Sequence, residues 1–403
     1  MEMLQRRKHM RTRKTKQILA LGLGIMVGVA VGSVPVGTPL IPMVYAEELP
    51  PGNTAPIPTV YTETVDGIEW TYTVYSGVEE SEYVYPTNKD TLPDEVVIPD
   101  TLGGYPVVRI GANAFSNSKV KSITLPETAV CIEERAFADC EELTTLNLPK
   151  EKPLSIVYKE GFKNCKALTD VNVRNTKDSA FEGCTNLKSV TIPVSSFNKA
   201  AAIGDGAFKG CVSLEEINLP EEIKEFSIGI SGFEGCTSLK KMNCYNSNVM
   251  LYKNAMLGCS SLEEFVATGD MNCNSYAFKD CSALKEMIIS GNAKFRTGVF
   301  DGCINLQKVT FKGESAETNF GEAAFTKILV YDGCKTVSGS IENMESLEKI
   351  IFTEKEPDVS GLTYAGRNKV QVAGYCQGSA DDEGKGNVYA WAKNINWKKN
   401  LLI

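Results

Sequence analysis

The stretch Ile203–Pro220, IGDGAFKGCVSLEEINLP, constrains the chain most, because versions of it recur along most of its length. Its frame is an apolar residue, three variable residues, Ala-Phe, two more, Cys, two more, Leu, two more, then an apolar–x–apolar segment. Further copies are Ile132–Pro149, Ile228–Cys244, Leu251–Ala267, Cys273–Ile289 and Phe295–Phe311. A unit of about 23 residues is too short to enclose a core, whereas stacked copies cover one another's apolar faces. The sequence therefore predicts a solenoid, and function must come from the surfaces a solenoid presents.

Each frame position has a physical reading. In Leu214-Glu-Glu-Ile-Asn-Leu219 strand alternation sends Leu214, Ile217 and Leu219 inward and Glu216 and Asn218 outward. Parallel strands from successive turns then pair about 4.8 Å apart into one long sheet. The frame Phe residues are 115, 137, 162, 181, 208, 233, 278, 300 and 325, with Met256 standing in once, and they form an internal column. Proline after the strand (Pro126, Pro149, Pro193, Pro220) ends pairing where no donor is needed. Spacings vary, so insertions such as Val194–Ala202 are expected to bulge as loops. After Phe325 the frame wears, although Leu347–Phe352 restores the strand.

The ends differ from the middle. Basic residues cluster in Arg6–Lys16 ahead of the apolar, Gly-rich run Ile18–Val34, and Val44-Tyr45-Ala46 offers a small-residue cleavage site. This reads as a signal peptide over 1–46, leaving no stable membrane span after cleavage. A proline-rich linker follows at 47–58. An N-terminal β cap over 59–109 holds the alternating Trp70–Val74 and many of the tyrosines. The repeats occupy 110–355. A degenerate repeat and C-terminal cap, with an acidic Gly-rich loop at Asp381–Gly386 and a short helix at Asn387–Lys393, fill 356–403.

The repeat frame Ile-Gly-x-x-Ala-Phe-x-x-Cys-x-x-Leu-x-x-Ile-x-Leu-Pro resembles that of the BspA-like (Treponema-type) leucine-rich repeats. The segments Asp66–Tyr72 and Asn387–Asn394 are similar to that family's flanking pieces, and the likeness runs roughly from Val65 to the C-terminus. Irregular repeat lengths and the worn repeat near Gly339 depart from the pattern. The expected fold is a right-handed leucine-rich-repeat solenoid, with a parallel β-sheet on one face, short helical or irregular segments on the other, and caps at both ends. The resemblance also implies an exported surface protein associated with adhesion and with host or cell–cell contact.

Composition narrows the chemistry. Beyond residue 46 the chain has 35 basic against 49 acidic side chains, a net of −14, which disfavours nucleic acid and anionic membrane as partners. The single histidine, His9, lies in the signal, so Ser-His-Asp and Cys-His pairs and His-bearing zinc sites are absent from the mature chain. There is no Cys-x-x-Cys and no phosphate-binding or dinucleotide fingerprint, and no cofactor or metal is expected. Eight cysteines (140, 165, 184, 211, 236, 259, 281, 303) share one frame position. Stacked side chains in one column point the same way, so these read as free, packed thiols rather than disulfides. A link between Cys334 and Cys376 stays open. The acidic pairs Glu141-Glu142, Glu215-Glu216 and Glu263-Glu264 read as a solvated rim, and Asp381–Glu383 lacks the alternating spacing of a calcium loop.

The outward sheet face remains. Its first column runs Ser122, Thr145, Asp170, Ser189, Glu216, Lys241, Glu264, Glu286, Lys308, and its second Thr124, Asn147, Asn172, Thr191, Asn218, Asn243, Val266, Ile288, Thr310. The candidate partner site is Lys241, Glu264, Val266, Glu286, Ile288 and Lys308, an apolar pair inside charges of both signs, which suits a protein or matrix ligand. The competing reading is that Val and Ile are simply good strand formers. Two other functions stay in play: a non-catalytic envelope scaffold, and a carbohydrate binder using the Tyr/Trp-rich N-terminal cap around Trp70 and Tyr72.

Overall fold

The computed structural model describes residues 57–403 apart from 79, 149–153, 195–198, 246, 321–325, 343, 355–356, 365–369, 374–387, 389–390, 393–396 and 399–403. The expected signal peptide, nearly all of the linker, Phe325, Cys376 and the acidic loop lie outside the described residues. The chain divides into a small unit, residues 1–59 with 74–78, and a large one, residues 60–73 and 79–403. In the small unit the Ser76 amide donates to the Ile57 carbonyl at 3.0 Å.

The large unit is a parallel β-solenoid of about 12 turns with almost no helix. Inward positions of the expected strands build its front sheet. Residues Glu95–Val97, Ser122–Thr124 and Thr145–Asn147 pair in parallel, as do Asp170–Asn172, Ser189–Thr191 and Glu216–Asn218. A third run begins at Lys241–Cys244 and continues through Glu264–Ala267, Glu286–Ile289, Lys308–Phe311, Ile328–Tyr331 and Lys349–Phe352 to Val370–Ala373. Inward residues such as Ile123, Val190, Met242, Phe265 and Leu329 are fully or almost fully buried.

The opposite side corrects the expectation of short helical segments. It carries a second parallel sheet, built from Arg109–Ile110, Cys131–Ile132, Leu154–Val157, Ala200–Ile203, Glu225–Ile228, Asn248–Leu251, Met271–Cys273, Ala293–Phe295, Ser315–Asn319, Thr336–Ser340 and Asp358–Thr363. The apolar residue that opens each frame closes a back strand, with a second inward residue two positions before it: Phe226 and Ile228, Val249 and Leu251. This period of two marks a strand. The expected loop Val194–Ala202 therefore ends inside a back strand, since Ala200–Ile203 pairs in register with Glu225–Ile228. Asp170–Thr176 serves both sheets without a break, pairing with Ser189–Thr191 at its start and Leu154–Val157 at its end, which explains the short spacing from Phe162 to Phe181.

Between the end of a back strand and the next front strand the chain runs through tight turns. Two residues per turn are left-handed, for instance Arg135 (φ 54°) with Asp139 (φ 61°), and Gly206 (φ 61°) with Gly210 (φ 74°). That region favours Gly, Asn and Asp, which is why they precede the frame Cys so often. The left-handed residue turns its amide toward the next coil: Arg135 donates to Lys159 at 3.0 Å and Asp139 to Lys163 at 2.7 Å. On the back side successive coils approach so closely that a Cβ on Gly291 would stand 2.3 Å from the Gly269 carbonyl oxygen.

The core is columnar. Phe115, Phe137, Phe162, Phe181, Phe208 and Phe233 stack with centroids 4.8 to 5.2 Å apart and rings within 5° of parallel. Met256 interrupts them, and the column resumes at Phe278 and Phe300 and passes to Phe320. Trp70 is 1% exposed and meets Phe115 edge-on at 6.2 Å. Beside the rings runs the thiol column. The Cys211 thiol donates to the Phe181 carbonyl at 3.2 Å and the Cys236 thiol to Phe208 at 3.2 Å, with the same geometry from Cys140 to Cys303. The Phe181 carbonyl also accepts the Cys184 amide at 3.2 Å, so both its lone pairs are used. Every described cysteine is a free thiol, Cys334 among them.

Candidate partner-binding face

Strand alternation and register decide what the front sheet shows. The two expected columns align turn by turn: Thr145 opposite Ser122, Ser189 opposite Glu216, Lys241 opposite Glu264, Val266 opposite Ile288, and Glu286 opposite Lys308. All six candidate residues lie on this face. Their charges are satisfied along the stack, because Lys241 Nζ sits 3.1 Å from Glu264 and Lys308 Nζ 2.7 Å from Glu286. Ile288 is 38% exposed and Val266 half-buried.

Thr310 departs from expectation. It stands in the outward column but is only 5% exposed, and its hydroxyl has no hydrogen-bond partner among the described residues. Ile288 and Val330 flank it in register and cover it. The column continues further than the repeat frame indicated: Val330 follows Thr310 and Ile351 follows Val330, both half-buried. Five successive β-branched residues, Val266, Ile288, Thr310, Val330 and Ile351, thus form one apolar stripe. Ile328 and Lys349 continue the neighbouring column, with Lys327 and Glu348 3.3 Å apart beside it. The signal for this extension was present in Ile328–Tyr331 and Lys349–Phe352, whose apolar–x–apolar spacing matches the earlier strands. The frame spacing from Ala-Phe to strand, kept as far as Phe300, is lost there, which hid it.

Groups with catalytic potential are placed unfavourably for chemistry. Burial pushes the Cys184 and Cys244 thiols up to about 12 and Cys131, the most exposed described thiol, to about 11. A thiol held protonated is a poor nucleophile. Of the acidic pairs, Glu141 meets Lys166 at 2.7 Å and Glu215 meets Lys240 at 3.0 Å, which holds the Glu215 carboxyl below the usual range. Such exposed pairs stitch adjacent turns. A denser network surrounds Arg109, which sits 2.5 Å from Glu133, 3.5 Å from Glu82 and over the Tyr83 ring. Of the aromatic residues that could serve a carbohydrate, Trp70 and Tyr72 are buried at 1% and 5% exposure and offer no free ring face, whereas Tyr61 and Tyr105 are 47% and 36% exposed.

Stacked turns of this frame, with one sheet displaying two outward columns, define a leucine-rich-repeat β-solenoid. The chain belongs to the BspA type leucine rich repeat family, whose repeat model matches in 6 copies over residues 108–227 and 201–330. No curated protein matches the chain. Among solved structures it is similar to a leucine-rich repeat protein of Bacteroides ovatus ATCC 8483, at 21% identity over 87% of this chain and 100% of the other, with a TM-score of 0.46. A leucine rich cell surface protein of Faecalibacterium prausnitzii A2-165 aligns at 17% identity over 85% and 99%, with a TM-score of 0.42. The leucine rich repeat protein of T. pallidum aligns at 22% identity over 57% and 83%, with a TM-score of 0.37.

Proposed function

We propose that the chain is an exported, surface-associated binding protein that lays a protein or matrix partner across the C-terminal half of its front sheet. The observation that carries this reading is the stripe Val266, Ile288, Thr310, Val330 and Ile351, bordered by Lys241–Glu264 and Glu286–Lys308. An apolar centre with a polar rim is the anatomy of a protein interface. The rim charges already neutralise one another, so the apolar centre supplies the affinity and the rim mainly sets orientation and association rate. Export is supported by the basic head and apolar run of residues 1–46. A non-catalytic role is supported by the protonated thiols and by the lack of a histidine beyond His9. The reading involves no cofactor and no nucleic acid.

The test is the double variant V266K/I288K, with T145K/N147K on the polar part of the same face as control. Affinity for a partner captured from a panel of purified matrix and wall components is measured for both. All four side chains point outward, so thermal stability should hardly move. Burying an unpaired ammonium at an apolar anchor should weaken binding by about a hundredfold or more in V266K/I288K alone. Unchanged affinity there would remove this site.

A further inference from the structure

The front sheet is not continuous. Glu216–Asn218 pairs with Ser189–Thr191 behind it, and Lys241–Cys244 pairs with Glu264–Ala267 ahead of it, but those two strands belong to separate sheets. The Lys240 amide reaches the Glu215 carbonyl at 3.4 Å, and from there the strands part. The seam opens on the outward face as a cleft of about 650 Å³ whose lining includes Glu216, Asn218, Leu219, Glu221, Asn243 and Tyr245.

Three features of the cleft point to one chemistry. The first is an unmet acceptor, since Asn243 Oδ1 is buried and has no hydrogen-bond partner among the described residues. A buried amide oxygen without a donor is costly, and a ligand that supplies one recovers that cost. The second is charge. Two lysines line it as well as three glutamates, but Lys240 is occupied by Glu215 at 3.0 Å and Lys241 by Glu264 at 3.1 Å. Glu216 and Glu221 have no ion-pair partner among the described residues, so the cleft is left with unbalanced negative charge. The third is its walls. Tyr245 is 38% exposed and Leu219 half-buried, which gives a ring face and an aliphatic surface beside the acceptors.

We propose that this cleft receives an arginine side chain of the partner protein. A guanidinium presents five donors in one plane, enough to serve Asn243 Oδ1 and a carboxylate together, whereas an ammonium acts as a point charge. Its flat face stacks on Tyr245 and its methylene stem lies along Leu219. The inference rests on the front sheet being the binding face. It adds a charged anchor at the near end of the apolar stripe, so that the two sites together fix the direction in which a partner lies.

The experiment titrates the intact chain with Nα-acetyl-L-arginine N-methylamide, following the Asn243 side-chain amide and the Asn218 and Tyr245 backbone amides by nuclear magnetic resonance. The comparison probe is the citrulline analogue, which keeps the shape and loses the charge. The arginine probe should give saturable shifts confined to these residues, with a millimolar dissociation constant as befits a ligand of its size. The citrulline probe should bind about tenfold or more weakly, and E216Q/E221Q should lose a similar factor. The probe is read on the chain without any partner, and partner binding by V266K/I288K is read separately, so a failed apolar stripe and a failed cleft give different results. Equal binding of both probes, shifts scattered over the acidic surface, or no saturation would each overturn the proposal.

Discussion

Phe208→Ala tests whether the molecule is an array of coupled turns rather than one globular core. Phe208 is fully buried, stacked on Phe181 at 5.2 Å with rings 1° apart and on Phe233 at 5.1 Å with rings 4° apart. Truncating a buried phenylalanine costs about 3–5 kcal/mol through lost transfer energy and the cavity left behind. Two stacked contacts, each about 0.5–1.5 kcal/mol beyond area, put this site near the top of that range. The loss should be local, because the turn of Phe208 contacts only its neighbours. Native-state hydrogen exchange reads this directly at the Phe208 amide, which donates to Gly232 at 2.8 Å, and the Phe181 amide, which donates to Ala207 at 2.7 Å. Both should exchange about a thousandfold faster, while turns beyond Phe300 keep their protection. A uniform loss across the chain, or a local change below about 1 kcal/mol, would refute the columnar account.

Three further outcomes follow from the thiols and the leader. Thiol counting in denaturant without reductant should find at least eight free cysteines. Because burial raises Cys184 and Cys244 from the ordinary 9.0 to about 12, their contribution is complete below pH 9 and is lost as pH climbs through that interval. In reductant, unfolding free energy should therefore fall with pH above 9 by up to about 1.4 kcal/mol per unit for each such thiol, and C184A/C244A should show a shallower slope. A wild-type slope no steeper than that of the variant would contradict this. N-terminal sequencing of secreted material should begin at Glu47, and a chain that still carries Ile18–Val34 would show that the run is not a cleaved signal.

What could be read from the sequence depended on how often a residue type returns to the same place. Phe and Cys recur at one frame position, so their columns were evident, and so was the inward–outward register of the front strands. The back sheet was much harder to see. Its strands are three to six residues long in most turns, with inward pairs as unlike as Ala201 with Ile203 and Met271 with Cys273. Short strands of mixed residue type hardly separate from turn or helix by periodicity. The expectation of helical segments came from the resemblance. What excludes them is the pair of left-handed residues, four positions apart, before each frame Cys, for which Gly210, Gly235 and Gly258 were the available signal. On the candidate face, Val266 and Ile288 were found by register, whereas Val330 and Ile351 lay past the last clear frame.

The outward stripe also bears on whether its residues serve the fold. The same ladder is built at Ser122–Thr124, Thr145–Asn147 and Ser189–Thr191 with small polar residues outward, and at Glu216–Asn218 with Glu and Asn. Asn is depleted from strands, yet register holds through Asn147 and Asn218. Inward side chains therefore suffice to set the sheet, and outward positions are free of that duty. Good strand formers have no more structural work at Val266, Ile288, Val330 and Ile351 than at Thr124 or Asn147. Apart from Val97, 62% exposed at the start of the same column, the apolar β-branched residues fall in one half of it, a placement that the sheet does not require and that the proposed partner face would account for.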